Sequence, residues 1–405
     1  MTTETQGKTR EIIEQAERFG AHNYHPLEVV LTRGEGCFVW DVEGRRFFDM
    51  LSAYSAVNQG HCHPRIVKAL VDQSRVLALT SRAFHNDRMG DMLEKIATLT
   101  GFEKVLPMNT GAEGVETAIK AIRRWGYRKK GIPANEAEII VALGNFHGRT
   151  TTIVGFSDDP DSYSDFGPFP PGFKQVPYGD VDALAAAITD KTAGVIIEPI
   201  QGEAGVMIPP AGYLAGVQKI CKENNVVFCL DEIQTGLGRT GKLFAWQHDC
   251  ERPDMIILGK ALSGGLYPVS AIAADDAIMS VFEPGSHGST YGGNPVAAAV
   301  AIAALDVLVE EDLCNRALEM GKHVKARFDA ELTTTNLKET RVRGLMIAVE
   351  YQTGVAHDAA VALQSKGILA KDTHSTSIRF APPLVISKAQ MDEALDIIIP
   401  TLNEF

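Results

Sequence analysis

Between residues 100 and 275 the sequence keeps one rhythm: short apolar runs alternate with stretches of helical spacing. The runs fall at 104–108, 139–143, 195–198, 226–231 and 255–258, with helical patterns such as 113–124 and 214–223 between them. A continuous apolar strand is buried on both faces, and parallel neighbours need a long crossover to connect them. The alternation therefore predicts an α/β fold whose mostly parallel sheet is covered by helices on both sides. In sheets of this kind ligands gather at the carboxyl ends of the strands, so the residues standing there are the first candidates for function.

The flanks read differently. Ile12, Ile13, Ala16 and Phe19 fall at helical spacing with charges between them, and 29–50 reads as short strands turning at Glu43-Gly44. After Asn294-Pro295 a long helical stretch runs to about residue 331, followed by mixed patterns including 344–351 and 377–380. A chain of 405 residues exceeds what one core usually serves. The expected units are 1–54, an N-terminal part of a smaller domain; 55–285, a large domain; and 286–405, a smaller C-terminal α+β domain.

With 45% apolar and 22% charged residues and a net charge of −12, the chain reads as a soluble globular protein. It has no basic patch interleaved with aromatics, so nucleic acid is not an expected partner. Its longest apolar stretch, 295–304, falls well below the roughly 18 residues that cross a bilayer. The polar opening and the six cysteines without CxxC spacing suit a cytoplasmic location with reduced thiols.

Two strand ends carry chemistry. The run 226–230 stops at Asp231, and 255–259 stops at Lys260, ahead of the small residues Ala261-Leu262-Ser263-Gly264-Gly265. A lysine amine can hold an aldehyde as an imine, and a carboxylate can keep a pyridine nitrogen protonated so that its ring accepts electrons. Together they are the minimal kit for pyridoxal 5'-phosphate. A phosphate cradle is available at Asn109-Thr110-Gly111-Ala112-Glu113, where a strand gives way to a helix whose first N–H groups are free. Gly288-Ser289-Thr290-Tyr291-Gly292-Gly293-Asn294 offers further hydroxyls, although a plain turn into the next helix would read the same.

Other patterns fail on inspection. The segment 236–241 spells GxGxxG, but no clear helix opens at its last glycine and no acidic residue ends a following strand near the required offset of about 20. Extended to Lys242 it spells GxxxxGK, yet Leu243 stands where a Ser or Thr should ligate magnesium, which disfavours a nucleotide-binding ATPase. His61-Cys62-His63 lacks a third ligand in sequence, so no metal is expected.

With these residues in view, the chain resembles the pyridoxal-phosphate aminotransferases with subgroup-III signatures, and within them the branch acting on ornithine. The likeness runs from Gly20-Ala21-His22-Asn23-Tyr24 to Arg379-Phe380-Ala381-Pro382-Pro383-Leu384. Its most specific segments are 52–61, Glu198-Pro199-Ile200-Gln201-Gly202-Glu203 and Asp231-Glu232-Ile233-Gln234-Thr235-Gly236. The resemblance implies a fold-type-I homodimer with a small domain built from both chain ends. It implies that Ser289 and Thr290 reach the phosphate of the partner subunit's cofactor. Phe146 would stack on the cofactor ring beside His147, and Gln234 would meet the ring hydroxyl; the family commonly has an aromatic where His147 stands.

The implied reaction moves the δ-amino group of L-ornithine to 2-oxoglutarate, giving glutamate-5-semialdehyde and L-glutamate. Acetylornithine and 4-aminobutyrate are the alternative amino donors. Arg149 would bind the far carboxylate in each half-reaction and Arg379 the α-carboxylate of 2-oxoglutarate. Glu203 would neutralise Arg379 while ornithine is bound, with Tyr24 and Tyr54 holding the ornithine α-end. Lys260 and Asp231 would be the catalytic pair, Lys260 acting again as a base that moves the reaction's proton.

Overall fold

The protein is described by a computed structural model covering residues 3–405. Three sheets organise it. Near the N-terminus lie β1 (Leu31–Glu35), β2 (Phe38–Asp41) and β3 (Arg46–Asp49). The central sheet has β4 (Lys104–Met108), β5 (Glu138–Ala142), β6 (Phe173–Val176), β7 (Thr192–Ile197), β8 (Val227–Asp231), β9 (Met255–Leu258) and β10 (Ser270–Ala274). Towards the C-terminus follow β11 (Leu337–Arg343), β12 (Met346–Tyr351), β13 (Ile368–Leu369), β14 (Lys371–Thr373) and β15 (Ser377–Phe380).

The central sheet runs β4-β10-β9-β8-β7-β5-β6, with the β9-β8-β7-β5-β6 neighbours parallel and β10 antiparallel to both β4 and β9. Every residue of β7, β8, β9 and β10 is buried. The sheet therefore divides the core into two apolar layers, one under Gly111–Trp125 and the other under Tyr213–Glu223 and Pro295–Glu310. The α/β reading of the sequence holds. β6 and β10 were not among the expected runs; β10 is Ser-Ala-Ile-Ala-Ala, too poor in β-branched residues to announce a strand.

The ends of the chain meet. β3 pairs in parallel with β13, setting Phe48 beside Ile368 and Asp49 beside Leu369. β11, β12, β15 and β14 form a third, antiparallel sheet. The long helical stretch expected after Pro295 is two helices, Pro295–Glu310 and Leu313–Glu331, broken at Asp312 in the left-handed region (φ 53°). The first of them packs against Pro64–Ser74, Met89–Thr100 and the turn Lys260–Ser263.

After β3 the backbone does something costly. Ser52, Ala53, Tyr54 and Ser55 take φ of 50, 48, 59 and 68° in succession, a left-handed turn without a glycine. Such geometry costs roughly 1–2 kcal/mol per L-residue, so the surrounding structure must impose it.

Candidate active site

The sheet delivers its groups to one edge. Asp231 ends β8, Lys260 lies two residues beyond β9, and Glu198 follows β7 directly. The ladder sets Asp231 beside Ile257, so the acid and the lysine leave neighbouring strands in the same direction. They open into a cleft of ≈ 590 Å³ lined by Gly111, Ala112, Phe146, His147, Glu198, Glu203, Asp231, Gln234 and Lys260, among others.

Lys260 has φ 44°, an uncommon backbone for a side chain and one that recurs at functional positions. Burial pushes its amine down from the ordinary lysine range, although Glu203, Asp231 and Glu198 pull the other way. It joins no ion pair among the described residues. An amine so placed gives up its proton more readily than a lysine in water, which suits a nucleophile and base.

Asp231 is buried and accepts two hydrogen bonds, from His147 Nδ1 at 2.7 Å and from the Ile233 N–H at 3.0 Å. Burial works against a charged His147, but its bond to Asp231 prevails and raises the imidazole above its ordinary value. The outer nitrogen, His147 Nε2, is buried without a partner. Glu198 accepts from the Phe146 N–H at 3.1 Å and the Gly202 N–H at 3.3 Å. Burial, with Asp231 nearby, pushes its carboxyl up to about 7. Sequence reasoning set Glu198 at a strand end but gave it no role; its position after an apolar strand was the available signal.

The opposite wall is a helix start. Thr110 caps Gly111–Trp125 by accepting from the Glu113 N–H, while the Glu113 carboxylate accepts from the Asn109 and Thr110 N–H groups. The first N–H groups inside the helix, on Gly111 and Ala112, have no partner among the described residues and line the cleft. Gly148 (φ 131°) brings the 144–149 loop against this start; a Cβ there would lie 3.0 Å from Ala112 Cβ.

Next to the cleft a small recess holds Tyr54, Gln234 and Arg379. Arg379, in β15, donates to both Glu203 carboxylate oxygens through its two terminal guanidinium nitrogens, at 2.8 and 2.9 Å. Burial alone would raise the Glu203 carboxyl, but Arg379 brings it below the usual range. Tyr54 sets its ring 5.6 Å from the Arg379 Cζ. Gln234 donates to the Tyr54 carbonyl at 3.3 Å and to Glu203 at 3.4 Å, and Gly202 makes room for its amide. Arg149 is exposed, with its guanidinium 5.5 Å from the Phe146 ring. Tyr24 is 75% exposed on the segment before β1.

Ser289 and Thr290 do not line the cleft of their own chain. Ser289 Oγ accepts from Asn109 Nδ2 at 2.9 Å and from the Gly292 N–H, and Thr290 is exposed. His61 and His63 form separate contacts, His61 with Asp49 and His63 with Glu311.

The cleft fits pyridoxal phosphate. It offers two unpartnered N–H groups at a helix start for the phosphate, a lysine with a lowered pKa for the aldehyde, and a carboxylate for a protonated ring nitrogen. Phe146 and Ile233 supply apolar surface for a flat ring between those ends.

Comparison with known proteins agrees. The aminotransferase class-III profile matches residues 19–402. An ornithine aminotransferase of Brevibacillus brevis is 56% identical over 98% of this chain and 99% of its own. The solved ornithine aminotransferase of Toxoplasma gondii, with pyridoxal phosphate at partial occupancy in its active site, superposes with TM-score 0.96 at 43% identity, over 97% of this chain and 94% of its own. An acetylornithine aminotransferase of Elizabethkingia anophelis superposes with TM-score 0.89 at 48% identity, over 98% and 99%. A match across nearly the whole length, with the strand-end lysine and acid in one cleft, places the chain in the aminotransferase class-III family.

Proposed function

We propose that this chain is a pyridoxal-phosphate enzyme that moves the δ-amino group of L-ornithine to 2-oxoglutarate, giving glutamate-5-semialdehyde and L-glutamate. The observation that carries the reading is the Glu203–Arg379 pair beside Lys260. One pocket must take a distal amine in one half-reaction and an α-keto diacid in the other. A guanidinium covered by a carboxylate leaves the recess neutral for the first and can be uncovered for the second.

Bound pyridoxal phosphate supplies an electrophilic aldehyde and an electron-accepting ring. The protein's own groups do the rest. Gly111, Ala112 and Thr110 hold the phosphate end. Asp231, oriented by its hydrogen bond with His147, would hold the ring-nitrogen end and keep that nitrogen protonated, so that the ring can draw electrons from the reacting carbon. Phe146 and Gln234 fix the ring between them. Lys260 Nζ would take the proton from the carbon bearing the substrate nitrogen and deliver it to the carbon that was the cofactor's aldehyde; burial, which lowers its pKa, favours the free base this needs. Arg149 binds the far carboxylate of each substrate, Tyr24 and Tyr54 meet the ornithine α-end, and Arg379 receives the 2-oxoglutarate α-carboxylate when Glu203 turns aside.

The same reading includes a pair of subunits, with Ser289 and Thr290 serving the cofactor of the partner; the exposure of Thr290 outside its own cleft supports it. It also includes a small domain formed by 1–54 with 286–405 around a large domain of 55–285, supported by the β3–β13 pairing. No helix among the described residues is long and apolar enough to cross a membrane, in keeping with work on soluble metabolites in the cytoplasm.

The Elizabethkingia likeness makes N-acetylornithine the competing donor. Rates on ornithine, N-acetylornithine and 4-aminobutyrate decide between them, with ornithine expected to lead. Borohydride reduction followed by peptide mapping should put the pyridoxyl label on Lys260. Lys260→Ala should lose that label and at least about a thousandfold of turnover. A label elsewhere, or near-normal turnover, would sink the assignment.

A further inference from the structure

We propose that Asp49, backed by His61, is a positioning residue for amino-donor recognition: it clasps the left-handed turn that aims Tyr54 at Arg379. The inference rests on the reading above, in which Tyr54 meets the donor.

The turn closes backbone hydrogen bonds of its own, from the Ser55 N–H to the Leu51 carbonyl and from the Ala56 N–H to the Ser52 carbonyl, but its backbone angles work against it. Ser52-Ala53-Tyr54-Ser55 contains no glycine, yet all four residues have positive φ. Local preference opposes this conformation at every position, so contacts from outside must select it. Asp49, the last residue of β3 and 7% exposed, supplies them. Its Oδ1 accepts from the Leu51 N–H at 2.9 Å and the Ser52 N–H at 2.8 Å, at the point where the chain changes hand. Its Oδ2 meets His61 Nε2 at 2.7 Å. His61 is fixed in turn by a two-way backbone bridge to Gly36, and its ring fits because residue 34 is glycine; a Cβ there would lie 2.9 Å away.

An aspartate that accepts from N–H groups two and three residues ahead is a common local motif, and alone it would signify only a turn. The second arm to His61 and the position of the strain say more. The clasped turn presents two groups of one residue: the Tyr54 ring lies 5.6 Å from Arg379 Cζ, and the Tyr54 carbonyl accepts from Gln234. Both directions are set by the sign of φ, so relaxation to a right-handed turn would move both. Beyond the turn the chain is tied to the loop that follows Arg379, through the Ala381 N–H to the Met50 carbonyl and the Leu384 N–H to the Asn58 carbonyl. The strain of this turn thus lies beside the recess of Tyr54 and Arg379, away from Asp231 and the helix start at Gly111.

The test measures KM for ornithine and for 2-oxoglutarate separately, on holoenzyme whose cofactor absorbance is recorded. Asp49→Ala should raise the ornithine KM about tenfold or more, a loss of one strong positioning contact, with the absorbance and the 2-oxoglutarate KM little changed. Asp49→Asn retains an acceptor oxygen for both N–H groups and should restore most of the loss. Ala53→Gly suits a positive φ, should be kinetically silent alone, and should partly rescue Asp49→Ala. Equal losses for both substrates, or failure of Asn and Gly to rescue, would leave Asp49 a merely structural residue and overturn the proposal. If Asp49→Ala does not fold, His61→Ala removes only the outer arm and must still raise the ornithine KM; an unchanged value also overturns it. Tyr54→Ala separates the two layers: no effect on ornithine sinks the Tyr54 reading itself, whereas an effect there without one from Asp49→Ala or His61→Ala sinks the clasp alone.

Discussion

Two arginines near the cleft stand in opposite circumstances. Arg379 is 6% exposed, held by both oxygens of Glu203, and faced by the Tyr54 ring. Arg149 is exposed, rests over Phe146, and joins no ion pair among the described residues. A free guanidinium is always ready for a carboxylate, so in the proposed reading Arg149 would serve every substrate. A covered one must exchange an internal partner for an external one, so it binds only a ligand that offers enough in return. The lesson is that two identical side chains can differ in selectivity solely through what the protein places against them.

That contrast is open to direct attack. The largest effect should come from Arg149→Ala. Loss of a paired, charge-assisted contact should lower kcat/KM by about a hundredfold to a thousandfold for ornithine and 2-oxoglutarate alike. A loss confined to one substrate would break the idea of a shared carboxylate site. Glu203→Ala should act in the other direction on the buried arginine. With Arg379 uncovered, the ratio of kcat/KM for ornithine to that for an α-amino acid donor should fall by about tenfold to a hundredfold. Glu203→Gln, which keeps the shape without the charge, should fall between that variant and the parent. An unchanged ratio would remove Glu203 from the selection of substrates.

The smallest effect concerns stability. Burial pushes both Glu198 and Glu232 up to about 7 from an ordinary 4.5. Each keeps its proton in the folded protein at pH values where the unfolded chain has released it. Their contribution therefore favours the fold below about 4.5 and is lost as pH rises to about 7, by order of 3 kcal/mol for each. Glu232→Gln stays neutral throughout. Melting of the cofactor-free variant should consequently fall less between pH 5 and 8 than that of the parent, by a few degrees in Tm. Parallel falls would assign the pH dependence to other groups.

How legible this was in the sequence varied with the distance over which each feature is decided. Lys260 and Asp231 close apolar runs, and Thr110 with Glu113 spells a capping box, so short segments sufficed. The central parallel strands announced themselves because double-sided burial leaves a continuous apolar run. The Glu203–Arg379 pair is different: its members come from distant segments, and no local pattern couples them. Family resemblance alone brought them together. The left-handed turn at 52–55 was invisible, since positive φ is signalled by glycine or asparagine and neither stands there. The break at Asp312 escaped for the same reason, because the helical periodicity on either side continues through it.

The parallel seam between β3 and β13 has a consequence for how the enzyme comes into being. Residues 48 and 368 are neighbours in space, and everything from the phosphate cradle to Lys260 lies between them along the chain. During synthesis every residue lining the cleft of its own chain, from Gly111 to Lys260, precedes Arg379, and the recess proposed to discriminate among substrates waits for the last segments to emerge. Nonlocal closures of this kind are slow. A nascent or C-terminally clipped chain would thus possess the reactive amine before it possesses the means to choose what reaches it.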